Sequence, residues 1–404
     1  MWEKENKINE VREIRCRTIA YLGVGAINKI VEILGDLKKK GISKVIVVSG
    51  RGSYKKTGAW DVVKKAFNVN KIDYVLYDKV TPNPTVDSVD EATALAREFR
   101  AQAVIAIGGG SPIDTGKSVA ILMENPKYDA RQLYEYKFTP ERAAPIVAIN
   151  LTHGTGSEVN RFAVVSLPEK DYKPAIAYDC IYPLYAIDDP ALMTKLSPEQ
   201  TKFVSIDAVN HVIEAATSKV ASPYTILLAQ ETIRLVDEWL PKAMQDPDDL
   251  EARYYLLYAS MIGGIAFDNG MLHLTHALEH PLSGVKPELT HGLGLAMILP
   301  AVVEVSYPAV PKIFADILTA IVPGLKGVPE EASKAAAGVE KWLVSMGTKE
   351  KLSDEGFKEE DIMHLVNLAQ NTPSLGLLLS LAPIEVDDKV IEKIYRDSMF
   401  FKSE

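Results

Sequence analysis

Residues 103–117 read AVIAIGGGSPIDTGK, and the fold is decided there: five small or β-branched apolar residues run into Gly108, Gly109 and Gly110, and a helix opened by Ser111 and Pro112 follows. A buried strand passing through a tight turn into a helix is the repeating unit of a doubly wound sheet. Stripping the turn of side chains lets a phosphate reach the backbone, where free N–H groups and the positive end of the helix dipole hold it. A plain turn would need only one glycine. Asp114 and Lys117 fall three apart on the first turns of the helix that follows.

The same alternation runs outward. TIAYLG, KVIVV and IDYVLYD are short β-branched runs, and AINKIVEILGDLKKKG, WDVVKKAFN and VDEATALAREFRA are helical in period. Strand, helix, strand in this order predicts a parallel, doubly wound, Rossmann-like sheet. After DDPALMTKLSPEQ the β signal stops, and from about residue 197 the chain reads as long helices such as PEQTKFVSIDAVNHVIEAATS. Two domains are expected: a dinucleotide-binding α/β domain over 1–190 and an all-helical, metal-binding domain over 191–404. A single core usually stops growing at ~250 to 300 residues, well short of this chain. Ligands favour the cleft between such halves.

With 47% hydrophobic and 25% charged residues the chain has the makings of a large globular core. A formal net charge of -9 argues against nucleic acid or an anionic membrane as partner, since both call for basic surface. Cys16 and Cys180 form no CxxC and no disulfide framework, so a reducing, cytoplasmic setting is expected. The opening MWEKENKINE is too charged for a signal peptide, and no run is read as reaching the ~18 apolar residues of a membrane span.

Two further turns bear on the cofactor. SGRGSYKKTG (49–58) closes the strand KVIVV, where a dinucleotide fold carries an acidic residue for the adenosine ribose. Here stand Gly50, Arg51, Gly52 and Ser53, with Lys55 and Lys56 behind. No carboxylate repels a 2′-phosphate, so NADP(H) is expected over NAD(H). GVGAIN (23–28) imitates a phosphate loop but has Asn28 where the third glycine belongs.

HLTHALEH (273–280) holds three of only seven histidines, and His291 follows in THGLG. Residues three and four apart share a helical face, so His276 and His280 point the same way, and SIDAVNHVIEA (205–215) pairs Asp207 with His211 likewise. A lone histidine is normally a packed core residue, whereas His273, His276 and His280 on one helical stripe, with His291 nearby, point to a metal or proton-transfer site. Carboxylate and imidazole without thiolate suit iron(II), zinc or a similar divalent ion.

In combination and in order, over nearly the whole chain, these motifs resemble the iron-containing, group III alcohol dehydrogenase family: PNPT at 82–85, GGGSPIDTGK, THGTGSEV at 152–159, DDP at 188–190, DAVNHVIEA, AFDNGMLHLTHALEHPLSG and LTHGLGLAMILP. The resemblance implies a dehydroquinate synthase-like architecture. It implies Asp207, His211, His276 and His291 as ligands of Fe(II), or of zinc, with His280 beside the metal as the catalytic proton carrier and His273 structural. It also implies Gly109, Gly110 and Ser111 at the pyrophosphate and Asp114 near the nicotinamide. Asn83, Thr152, Thr155 and Lys173 would complete a cofactor groove with Gly50, Gly52 and Ser53, and Phe162 and Phe267 would border the substrate. GRGSYKKTG is similar to the turn of the NADP-dependent butanol dehydrogenase branch, whereas the family's NAD users carry aspartate at the place of Gly50. Leu151 and His153 depart from the family's TTAGTGSE. The activity implied is transfer of a hydride between NADP(H) and a small primary alcohol or aldehyde, by a cytoplasmic homo-oligomer. A zinc-dependent, glycerol dehydrogenase-like polyol oxidoreductase is the alternative within the superfamily. A metal-dependent hydrolase could use the same ligands but would have no need of GGGSPID, and a non-enzymatic metal-storing scaffold is the third reading.

Overall fold

The computed structural model describes residues 2–5 and 9–401. Its first half carries eight strands: β1 (Ile19–Leu22), β2 (Lys44–Gly50), β3 (Asp73–Val80), β4 (Ala103–Gly108), β5 (Ile146–Asn150), β6 (Phe162–Val164), β7 (Ala175–Ala177) and β8 (Tyr185–Asp188). Six of them form one sheet in the order β1-β8-β5-β4-β2-β3, with every pair parallel. The connecting helices are α1 (Ile30–Lys39), α2 (Ser53–Lys56), α3 (Ala59–Asn70), α4 (Val86–Phe99), α5 (Gly110–Glu124) and α6 (Ala130–Tyr134).

Side chains alternate across each strand, so one face of β2 and β4 buries Val45, Val47, Ile105 and Ile107 against α1 and α3. The other face buries Ile46, Val48 and Val104 against α4 and α5. Both faces being covered explains why these strands read as unbroken apolar runs. From β2 the chain goes to β3 on one side, and β4 returns on the other. The switch point therefore lies at the carboxyl ends of β2 and β4, which is where open α/β sheets bind ligands.

The antiparallel pair β6–β7 stands apart from the sheet and was not legible as a hairpin. GVGAIN also acquires an explanation. The N–H groups of Gly25 and Ile27 donate to Asp189 Oδ2 at 3.0 and 3.1 Å, so a carboxylate of the DDP motif occupies the place a phosphate would take.

The second half is helical: α7 (Pro198–Thr217), α8 (Pro223–Gln245), α9 (Leu250–Gly270), α10 (Leu274–Val285) and α11 (His291–Ser306), then α12 (Pro311–Ile317), α13 (Ala332–Ser345), α14 (Ile362–Asn371), α15 (Leu375–Leu381) and α16 (Asp388–Asp397). Ser197 caps α7, its hydroxyl accepting from Gln200 N at 3.1 Å, with Pro198 in the first turn. From Ser205 to Thr217 every residue of α7 is buried, because α8, α9, α10 and α11 surround it. Polar side chains on such a helix must find partners or serve a site.

Three expectations need correction. α10 begins at Leu274, and His273 precedes it with φ −146° and ψ −111°, so His273 is not on the stripe of His276 and His280. α5 begins at Gly110 with Gly109 as its cap, so Ser111 is inside the helix. Residues 291–309 are apolar enough, at a mean hydropathy of 1.5, to cross a membrane by length and composition, but 78% of that segment is buried inside the helical half.

Candidate active site

A cleft of about 960 Å³ opens between the carboxyl end of the sheet and the helical half, and every cofactor, metal, proton-transfer and substrate residue picked out of the sequence lines it. At one end is the glycine turn. A Cβ on Gly109 would stand 2.7 Å from Thr152 Cγ2, and one on Gly110 2.8 Å from Thr155 Cγ2. The loop carrying both threonines thus lies on the backbone of the turn, and only glycine permits that approach. Asp114, on the second turn of α5, accepts from Ser157 Oγ at 2.6 Å and from Val164 N at 3.0 Å. Burial pushes its pKa up, against the pull of Lys117.

The carboxyl end of β2 sits beside that of β4, tied by Ser49 Oγ donating to Ile107 O at 2.7 Å. Gly50, Arg51, Gly52, Ser53 and Lys56 face the cleft. Lys55 does not: it pairs with Asp78 at 3.5 Å, and Tyr54 Oη donates to the same carboxylate at 2.7 Å. Neither Arg51 nor Lys56 makes an ion pair among the described residues, which leaves two cations at the turn. Asn83, at φ 50°, reaches across to donate to Pro287 O at 2.8 Å, joining the two halves.

At the other end four donor atoms converge. Asp207 Oδ1 lies 3.3 Å from His211 Nε2, 3.5 Å from His276 Nε2 and 3.8 Å from His291 Nε2. Ligands ~2.0 to 2.2 Å from a tetrahedral ion stand roughly 3.3 to 3.6 Å apart. The His211 and His276 edges match that spacing and the His291 edge is slightly longer. The ligand atoms of Asp207, His276 and His291 all lie within 4.8 Å of one another, with His211 joined to the group through Asp207. Asp207 Oδ1 and His276 Nε2 are buried with no hydrogen-bond partner among the described residues. Two buried polar atoms facing each other unmet are costly unless a cation stands between them. Burial pushes the Asp207 carboxyl up, but the imidazoles around it outweigh burial and hold it well below the usual range. Burial lowers His211 to about 4, so its ring is neutral and has a lone pair to offer.

Two carboxylates behind the histidines were missed by the sequence reading. Glu214, from α7, faces His276 Nδ1 with Oε2, while its Oε1 accepts the N–H groups of His273, Thr275 and His276 at 3.0, 2.7 and 3.3 Å. One side chain therefore caps α10 and fixes a histidine of the cluster. Glu279, from α10, faces His291 Nδ1 with Oε2 and accepts from Ser283 Oγ with Oε1. Lys173 Nζ lies 3.4 Å from Glu279 Oε2 and 3.4 Å from His291 Nδ1, so its amine is tied to the rear of this cluster. A carboxylate on Nδ1 keeps the proton there and leaves Nε2 free to ligate. Burial opposes the charge on His276, but Glu214 and Asp207 prevail and raise it to about 9.

His280 is buried among these groups, its ring centroid 6.3 Å from that of His276 and 5.9 Å from that of His291, and its Nδ1 has no partner among the described residues. Burial, then the Lys173 cation, depresses its pKa, so it is a neutral base. Phe267 packs 4.5 Å from the His211 ring, and Phe162 packs 5.4 Å from Phe267, forming an aromatic wall.

Two further histidines, His273 and His153, are structural. His273 Nε2 meets Thr217 Oγ1 at 2.9 Å. His153 accepts from Arg253 Nη1 at 3.0 Å through Nε2, which leaves Nδ1 to donate to Ser205 Oγ at 3.2 Å. Arg253, fully buried, also donates to Thr201 Oγ1 at 2.8 Å. His153 thus anchors the threonine loop to the helical half.

Comparison with known proteins shows the family of the chain. The sequence model described as "Iron-containing alcohol dehydrogenase" matches residues 18–190, and that of "Fe-containing alcohol dehydrogenase family, C-terminal" matches residues 202–399. A long-chain primary alcohol dehydrogenase from Thermoanaerobacter ethanolicus is 62% identical over 398 residues, 98% of this chain and 100% of that one. An NAD-dependent methanol dehydrogenase from Bacillus methanolicus is 30% identical over 90% of this chain and 96% of its own. Among solved structures, the NADH-dependent butanol dehydrogenase A of Thermotoga maritima superposes with a TM-score of 0.88 at 28% identity, covering 97% of this chain and 99% of that one.

Proposed function

The chain belongs to the iron-containing alcohol dehydrogenase family, and we propose that it moves a hydride between NADP(H) and primary alcohols or aldehydes at a divalent metal centre. We divide it at 190/191 into a nucleotide-binding part and a metal-binding part. The observation that carries this reading is the convergence of Asp207, His211, His276 and His291 in the same cleft as the glycine turn at the head of α5.

We assign these four residues to Fe(II), or to zinc, and the unmet, buried Asp207 Oδ1 and His276 Nε2 fit such an ion. A divalent ion supplies Lewis acidity toward the substrate oxygen, and the nicotinamide supplies the hydride donor or acceptor. The chain does the rest. Gly109, Gly110 and Ser111 offer free N–H groups to the pyrophosphate, and Thr152, Thr155, Asn83 and Lys173 line its groove. Asp114, held by Ser157 and Val164, borders the nicotinamide. Phe162 and Phe267 exclude water from the reacting carbon. His280, a neutral imidazole whose Nδ1 has no partner among the described residues, takes the proton from the alcohol as it is oxidised or passes one to the carbonyl oxygen of the aldehyde as it is reduced.

Arg51 and Lys56, free at the end of β2, with glycine where an acid would stand, support NADP(H) over NAD(H). For the substrate we favour a primary alcohol with an apolar tail. The aromatic wall suits it, and the relative at 62% identity is described as a long-chain primary alcohol dehydrogenase. Loss of absorbance at 340 nm on mixing iron- or zinc-loaded protein, NADPH and ethanal or octanal tests the proposal. No oxidation with either aldehyde under metal saturation refutes it.

A further inference from the structure

Lys117 is a fully buried cation that the reaction just described does not use. It stands on α5 behind the glycine turn, where an ammonium is tolerated only if its three N–H groups are met. Nζ donates to Phe162 O at 2.6 Å, to Ser157 Oγ at 2.9 Å and to Asn160 Oδ1 at 3.2 Å. Ser157 and Asn160 lie on the loop between β5 and β6, Phe162 opens β6 itself, and all three residues line the cleft. Ser157 passes the tie to Asp114 Oδ1 at 2.6 Å. Asn160 closes it by accepting from Phe162 N at 2.9 Å and donating to Gly156 O at 2.7 Å. Through Phe162 the frame continues to Phe267 and the His211 ring.

We infer that Lys117 is a positioning residue for hydride transfer and for substrate chain length: its ammonium sets the spacing between the Asp114 side of the cleft and the Phe162–Phe267 wall. The inference rests on the alcohol dehydrogenase reading above. Three donors splayed from one nitrogen meet three acceptors here, an arrangement that neither a thioether nor a planar guanidinium reproduces. Misplacing reacting groups by about 1 Å costs on the order of 10²-fold in rate.

The test uses metal-loaded Lys117→Met and Phe162→Ala, singly and combined, with NADPH and either ethanal or octanal. Metal content, NADPH affinity and thermal unfolding are followed in parallel. Lys117→Met should keep its metal and bind NADPH within about threefold of wild type, while kcat falls about ten- to hundredfold. The octanal-to-ethanal ratio of kcat/KM should shift, and Phe162→Ala should add little to that shift in the combined variant, because the two act through one wall. A folded Lys117→Met with kcat and selectivity within about twofold of wild type overturns the inference, as do selectivity effects that simply multiply. Should Lys117→Met fail to fold, Ser157→Ala cuts one of the three ties, and unchanged kcat in it overturns the inference equally. Wild-type protein that oxidises NADPH with neither aldehyde defeats the alcohol dehydrogenase reading instead.

Discussion

Replacing Glu214 with glutamine exchanges one oxygen for an NH₂ and should empty the metal centre in part. In the wild type Oε1 takes three backbone N–H groups at the start of α10, and Oε2 obliges His276 to keep its proton on Nδ1. Glutamine has one oxygen. If that oxygen stays with the helix N–H groups, the amide NH₂ faces Nδ1, and His276 must carry its proton on Nε2, which points at Asp207. If the amide turns round, the NH₂ meets three donors instead. Once Nε2 is given to an ion and the His276 proton must sit on Nδ1, either way a buried donor is left unmet, at about 1 to 3 kcal/mol. At about 1.4 kcal/mol per factor of ten, metal affinity should fall about 5- to 150-fold, in the range of ~10 to 100-fold typical of residues behind metal ligands. Competition with a chromophoric chelator for zinc or cobalt measures this directly, with thermal unfolding as a check on the fold. Glu279→Gln, behind His291, should lose affinity in the same range. A folded Glu214→Gln that binds metal within about twofold of wild type would refute the tautomer argument.

Three other substitutions probe other parts of the cleft. His280→Ala should retain metal and NADPH yet lose turnover by ~10² to 10⁴-fold, and unchanged kinetics from about pH 6 to 10 would reduce His280 to packing. Gly50→Asp has room, since an added Cβ stands 3.4 Å from Val80 O. It should shift kcat/KM from NADPH toward NADH by about ten- to hundredfold, and a wild type at least as efficient with NADH sinks the NADP(H) proposal. His153 is held down to about 3 by burial, then by Arg253. Below about pH 6.5 the unfolded chain binds a proton there that the native one refuses, so stability falls as pH drops toward 3 by up to about 1.4 kcal/mol per unit. His153→Ala removes that slope. Its destabilisation in urea should be smaller at pH 5 than at pH 7 by about 2 kcal/mol, and equal values at the two pH values refute the assignment.

The α/β half was legible because β2 and β4 are covered on both faces and the helices between strands keep a clear period. β6 and β7 were not, having three residues each and pairing only with one another. The four converging donors could be named from motifs, but what stands behind them could not. Glu214 lies three residues beyond His211 and Glu279 sits beside His280, and nothing in that spacing tells which histidine each will face once α7, α10 and α11 have packed. His273 was misread for a local reason. Met271, at φ 62° and ψ 168°, breaks the helical register between α9 and α10, and a sequence of apolar residues and histidines gives no sign of it. Lys117 was visible as a motif residue, but its three acceptors are forty and more positions away, on a loop and the first residue of the strand that follows it.

The carboxylates behind the histidines have one more consequence. Asp207, Glu214 and Glu279 are at most 3% exposed, and the buried cation beside them is Lys173. With neutral imidazoles the formal charge of the group is three negative and one positive, a deficit of two. A divalent ion brings it to neutrality, whereas a monovalent or a trivalent ion leaves a unit charge uncompensated where solvent cannot screen it. If these residues hold a metal as proposed, the centre would select by valence before it selects by element. Iron(II), zinc and their neighbours would meet the same charge demand, so cellular supply and coordination preference would decide among them, and oxidation of a bound iron would work against the charge balance of the fold.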